Sequence, residues 1–490
     1  MTDRAFEDDP RPVTRREVLS RAGMGIGGVA LATLFHDVGL AGGSPSGSPL
    51  AAKQPHFAPK AKRVIQIFCA GGPSHLDTFD PKPLLATYEG TFVDDVVKDV
   101  RAKGREFRSA GGAGVRLNAT LKGSPFAFKK HGQSGMEISE LFPKLATHAD
   151  ELCVVRSMQT KSPVHEAASL LMHTGDFSSV RPSVGAWTVY GLGTENENLP
   201  ALVGLTANGS SEGAGDRPWG NAFLPAWCNG TGVPTGEMSV TRMIENLRSG
   251  SMSLREQRRQ IDLLREMHEH YATKHPGQTI LDGRVQAFET AFRMQVEAGD
   301  AFDISREPKH VRDLYGDAKQ GRPFLLARRL VERGVRFVQV WHSGWDTHDM
   351  NDQRHRELAA ECDQPLHALL VDLKERDMLK DTLVIWGGEF GRTPTTDKTN
   401  VNNRKGVGRD HHANGFTIWM AGGGVRPGTV YGATDEFGGA VIENGVDIHD
   451  LHATILHLLG FDHERLTYRY AGRDFRLTDV HGRVVRGLLA

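Results

Sequence analysis

The sequence predicts an α/β fold, a mostly parallel central sheet with helices on both faces, and two features carry that prediction. Short, continuously apolar runs alternate with segments of helical periodicity, which is how doubly buried strands and their crossover helices read. Most of these runs then stop at glycine or a polar loop. Taken in order, "RVIQIFC" (Arg63–Cys69) ends at Gly71 and Gly72, and "ELCVVRS" (Glu151–Ser157) and "ALVGL" (Ala201–Leu205) are strands of the same kind. "RPFLLARRLVERG" is a helix stopped by Gly334, and "VRFVQVW" is the strand that follows it. In "HRELAAECDQPLHALLVDLKERD", Leu358, Cys362, Leu366, Leu369, Leu370 and Leu373 share one helical face. "DTLVIWG" and "FTIWMAG" are two more buried strands. "DIHDLHATILHLLG" closes as a helix capped by Asp447 and ended by Gly460.

Two stretches break this rhythm. Residues 88–135 are polar and glycine-containing and read as an insertion; residues 250–300 hold two amphipathic helices, Leu254–His275 and Thr279–Glu297, as a hairpin. The rest of 63–480 reads as a single domain, with a tail over 481–490. Ahead of it, "TRREVLS" and the glycine-rich apolar run "RAGMGIGGVALATLF" resemble a twin-arginine export signal over residues 1–41. That run is too short to span a bilayer comfortably. A Gly/Ser/Pro-rich linker occupies 42–62, with cleavage after Ala41 and after Ala52 both open. The expected location is the periplasm or cell envelope, reached through the twin-arginine export machinery.

Composition excludes some classes of function. With 59 basic and 60 acidic residues the formal charge is -1, so no nucleic-acid partner is expected. Cys69, Cys153, Cys228 and Cys362 have no paired spacing and read as buried free thiols. No G-x-G-x-x-G follows the first strand, which disfavours a dinucleotide site, and Ser162 lies before a proline instead of between glycines, which disfavours a serine-hydrolase elbow there.

The chemistry gathers where strands end. "AGGPSHLDTFD" brings Ser74, His75, Asp77 and Asp80; "MQTKSPVHEAASLLMHTG" brings Thr160, Lys161, Ser162 and His165. "HSGWDTHD" brings His342, Asp346, His348 and Asp349, and "GEFGRTP" brings Glu389 and Arg392. "GRDHHANG", just before a strand, brings Asp410, His411 and His412. Loops after parallel strands share one rim of the sheet, so these segments converge there. Carboxylates and imidazoles in such number suit a divalent metal, with zinc, manganese or iron favoured over calcium. Structural alternatives stand beside this: a hydrogen-bonded Asp-x-His turn, a Glu389–Arg392 pair, and Ser162 as a helix cap.

"GGPSHLDTFDPKP", "RPSVGAWTVYGLG", "GWDTHDMN", "TLVIWGGEFGRTP", "GRDHHANGFTIWMAGGGVRPG" and "LTYRYAGRDFRLTD" resemble the bacterial family grouped as domain of unknown function 1501, over about Arg63 to Asp479. That family is similar in turn to the alkaline phosphatase-like superfamily of metal-dependent phosphatases, phosphomutases and sulfatases. The resemblance implies metal ligands at Asp77 with His75 beside it, at Asp346 and His348, at Glu389, and at His411 or His412. It implies a nucleophile at Ser162, with Thr160 behind it. Arg392 or Lys161 would offset charge on the ester oxygens. The sequence departs from the superfamily pattern at Phe390, where a second imidazole is usual, so one ion and a rearranged pair both stay open. No formylglycine motif occurs. The resemblance thus implies an exported, zinc- or manganese-dependent hydrolase of small-molecule or glycan phosphate or sulfate esters. The alternative is a non-catalytic metal- or carbohydrate-binding envelope protein.

Overall fold

The computed structural model describes residues 48–490 except 109–114, 208–213, 238, 244–251, 275–284, 286–287, 290–291, 294–298, 317–320 and 397–406. The export-signal reading and most of the second predicted helix, Thr279–Glu297, fall outside the described residues. Among the described residues, nine strands build the central sheet: β1 (Arg63–Phe68), β2 (Leu152–Gln159), β3 (Leu202–Thr206), β4 (Thr231–Pro234), β5 (Phe337–Trp341), β6 (Thr382–Gly387), β9 (Phe416–Ala421), β10 (Thr429–Tyr431) and β11 (Val446–Asp447). Between β6 and β9 the chain forms a separate ribbon of β7 (Gly391–Thr396) and β8 (Arg409–His412). Across the sheet the order is β10-β2-β9-β6-β1-β5-β3-β4, with β11 also on β2. Every pairing is parallel except those of β9, which runs antiparallel to both β2 and β6. The predicted mostly parallel sheet is what forms.

Helices cover both faces, and alternation along β1 shows how. Ile65 and Ile67 pack into one core with the helices Gly321–Glu332 and Asn351–Glu375. Val64 and Phe68 pack into the other, with the helices His165–Thr174, Val184–Leu192 and Ile448–Leu458. The six predicted apolar positions from Leu358 to Leu373 are all buried. Removing one such side chain, as in Leu366→Ala, costs about 2–5 kcal/mol. Asp447 caps the Ile448–Leu458 helix on the His449 amide, within a capping box completed by Asp450. All four cysteines are free and buried.

Within the 88–135 stretch, the helix Val93–Ala102 buries Val93, Val96 and Val100 in a small separate core with Leu76, Leu85 and Phe437. Leu254–Lys274 is helical. The body carrying the sheet runs to Tyr468 and resumes at Phe475; Arg469–Asp474 belong to a separate unit.

Candidate metal centre

Parallel pairing places the carboxyl ends of β1, β2, β5 and β6 on one rim. Because β9 alone runs backwards, the residues that precede it, including β8, reach the same rim. The loops meet at close quarters there. Gly71 holds φ +109°, and a Cβ on it would collide with the Asp346 backbone nitrogen. A Cβ on Gly408 would likewise run into the His348 carbonyl. Glycine at these two positions is what lets the loop after β5 lie against both neighbours.

Four side chains from the connections after β2 and β5 and from the ribbon converge: His165, Asp346, His348 and His411 each offer a ligand atom, all within 4.8 Å of one another. Asp346 Oδ1 is the hub. It lies 3.3 Å from His165 Nε2, 3.1 Å from His348 Nε2 and 3.2 Å from His411 Nε2. The His348 and His411 Nε2 atoms are themselves 2.8 Å apart. His165 Nε2 is buried and makes no hydrogen bond.

The outer ring nitrogens fix which atoms carry protons. His411 Nδ1 is 2.7 Å from the Pro163 carbonyl, which only accepts, so Nδ1 is the donor. His165 Nδ1 is 2.6 Å from Glu389 Oε1, a carboxylate already holding the Gly71 amide at 2.9 Å. In the neutral ring each inner Nε2 then presents a lone pair, the arrangement that second partners impose on metal-binding histidines. Burial opposes the charged form of His165, but Asp346 and Glu389 outweigh it and lift its pKa to about 9. Burial likewise opposes ionised Asp346, yet its contacts with His165, His348, His411 and Arg392 hold it well below the usual carboxylate range. Three imidazole Nε2 atoms crowded on one carboxylate oxygen fit a divalent transition metal, which would take the place of the proton on His165.

The structure brings three of the six sequence-proposed ligands, Asp346, His348 and His411, into this group. Glu389 sits behind it as the partner of His165. Asp77 and His75 lie elsewhere. Asp77 is wholly buried against Arg409, whose Nε is 2.9 Å from Oδ2 and Nη2 3.2 Å from Oδ1, and it accepts Asn351 Nδ2 at 3.0 Å. His75 Nε2 is 3.0 Å from the Gly438 carbonyl, and its ring stacks on that of His412.

Among the proposed catalytic residues, Arg392 has no exposed surface. Its guanidinium bonds the carbonyls of Gly71, Gly72, Trp345 and Arg409 as well as Asp346 Oδ1 at 2.8 Å. It ties the loops together and braces Asp346 instead of facing the rim, and it does not pair with Glu389. Ser162 Oγ accepts the Val164 amide at 3.1 Å in a local turn; Val164 is the N-cap of the helix that follows, so Ser162 is not its cap. Lys161 is exposed, and its charge acts on Asp447. His165 is the member of this group that the sequence also offered but that was not among the proposed ligands. Its position as the first residue of the helix after the β2 loop was the signal available.

A family model described as a protein of unknown function, DUF1501, matches residues 61–489. No curated protein matches the sequence. Among solved structures, the chain is similar to a lipoteichoic acid synthase from Listeria monocytogenes at 11% identity, covering 84% of this chain and 77% of that one, with a TM-score of 0.32. It is similar to the alkaline phosphatase of the Antarctic bacterium TAB5 at 9% identity, covering 84% and 100%, with a TM-score of 0.32. A sulfatase from Pseudoalteromonas sp. is similar at 14% identity, covering 78% and 73%, also at 0.32.

Proposed function

The chain belongs to the DUF1501 family, and from that premise we propose that it is an exported metal-dependent hydrolase of phosphate or sulfate esters. The observation that carries this reading is the convergence of three imidazole Nε2 atoms on Asp346 Oδ1. His165, Asp346, His348 and His411 would hold one divalent ion, zinc or manganese. When bound, such an ion polarises an ester oxygen and makes water more acidic.

The chain's own groups do the rest. Glu389 and the Pro163 carbonyl orient two of the rings. Arg392 holds Asp346 from behind, so that the carboxylate cannot turn away from the imidazoles. Phe390 packs its ring against His165 at 4.9 Å and His411 at 4.6 Å, which shields one flank from water. Ser162 is the proposed nucleophile, with water as the other choice; the Val164 amide fixes its rotamer while the hydroxyl remains able to give up its proton. Substrates in this reading are small-molecule or glycan esters. Export follows from the paired Arg15 and Arg16, and replacing both with lysine should retain the protein in the cytoplasm.

One observation favours the second reading, a non-catalytic metal- or carbohydrate-binding protein. Arg392 and Arg409, the guanidiniums bonded to Asp346 and Asp77, are both fully buried and bound to internal acceptors, which leaves neither for an ester's oxygens. Turnover of aryl phosphates and aryl sulfates by the purified protein, with zinc or manganese added, separates the two. Metal-dependent turnover that Ser162→Ala abolishes supports the hydrolase with its serine nucleophile. Metal binding without turnover of any ester supports the binding protein.

A further inference from the structure

Resting on the reading of the cluster as a metal centre, we propose that it is mononuclear, and that Glu389 is a positioning residue for His165 and not a ligand of a second ion. Paired metal sites place their ions about 3.5–4 Å apart, and the second ion needs carboxylates or imidazoles of its own. Among the described residues, the protein itself already engages Glu389 and Asp77, the two further carboxylates that the sequence offers as ligands.

Glu389 is 1% exposed. Its Oε1 takes His165 Nδ1 at 2.6 Å and the Gly71 amide at 2.9 Å, and Oε2 lies 3.3 Å from that same amide. The residue after it is apolar: the Phe390 ring fills the space against His165 and His411 where another ligand would stand. Asp77 already has a fixed cation. Arg409 grips both its oxygens, and the same guanidinium donates to the carbonyls of Lys122, Thr393 and Gly123, each at 3.1 Å. Asp410 Oδ1 accepts the His411 amide at 2.7 Å. Protein cations and amides thus occupy the coordination that a second ion would require, with Arg409 balancing the charge of Asp77. Glu389, by holding the Nδ1 proton of His165, aims the Nε2 lone pair at the ion, and loss of such a partner lowers metal affinity about 10- to 100-fold.

The test is a zinc titration of the chelator-stripped full chain, read by native mass spectrometry and elemental analysis, with a chelator competition for affinity. One zinc per chain is expected for the wild type. Glu389→Gln should still take one zinc, with affinity lowered about 10- to 100-fold. Two zinc ions on the wild type, with one lost in Glu389→Gln, would overturn the proposal and leave the metal centre standing. One zinc bound equally well by both proteins would remove the positioning role. No bound zinc would overturn the metal centre itself. The wild-type stoichiometry decides the number of ions even if the variant does not fold.

Discussion

Asp77 and Asp346 follow adjacent strands of the same sheet, β1 and β5, and each has a buried arginine against it. Their environments nonetheless differ in kind. Asp77 has no exposure and both oxygens are bound by Arg409. The Asp346 side chain is 46% exposed, and its Oδ1 is shared among three imidazoles. Arg392 bonds four carbonyls and gives Asp346 one hydrogen bond, whereas Arg409 bonds three carbonyls and gives Asp77 two. One carboxylate therefore seals the protein, and the other is left open to a ligand. Reaching the rim is decided by strand direction; which of the two roles follows is decided by the counter-charge the fold delivers.

The largest difference should appear on removing each carboxylate. Asp77→Asn leaves Arg409 buried and under-paired, which costs about 3–5 kcal/mol, read from denaturant midpoints of the metal-free protein. Asp346→Asn should cost the metal-free protein under about 1 kcal/mol, the range for a partly exposed pair, because Arg392 keeps four carbonyl partners. Equal losses in the two variants would erase the distinction.

The response to metal ranks the two carboxylates the other way. Zinc at about a hundredfold over its dissociation constant should stabilise the wild type by about 2.7 kcal/mol. The same addition should leave the Asp346→Ala/His348→Ala variant unchanged and still stabilise Asp77→Asn. Thermal melts with and without zinc read this directly.

A pH series sharpens the contrast between sealed and open groups. Burial holds His173 and His355 down to about 4, and His412 and His452 down to about 3. Between an exposed histidine's value near 6.5 and those folded values, the unfolded chain binds the extra protons. Stability should therefore fall as pH drops below about 6.5, by up to about 1.4 kcal/mol per pH unit for each ring. Asp77, whose folded pKa is depressed by Arg409 against the effect of burial, contributes stability present above the unfolded carboxylate range. That part is lost only at lower pH and should be missing from Asp77→Asn. A wild-type profile flat from pH 7 to 5 would contradict the buried neutral rings. Ser162→Ala should cost a comparably small amount, about 1 kcal/mol for one amide hydrogen bond.

Much of this was legible in the sequence because it is local. Continuous apolar runs marked the strands, and the reversed strand β9 was foreshadowed by a cluster that comes before its run instead of after it. Asp346, His348 and His411 stood out because ligand types crowd short loops. What remained hidden depends on distant partners. Arg409 reaches Asp77 from 332 positions away, and Glu389 orients His165 from 224 positions away. Arg392 looks like a rim charge in "GEFGRTP", yet the Gly71 loop folds over it and takes its donors inward. No periodicity or spacing encodes those choices.

The central claim is that the open carboxylate, and not the sealed one, holds an ion. An anomalous difference map from a crystal grown with zinc, collected at the zinc edge, tests it most directly. One peak is predicted, about 2.0–2.2 Å from an oxygen of Asp346 and from the Nε2 atoms of His165, His348 and His411. A peak bounded by Asp77 or His75, or no peak at Asp346, would contradict it.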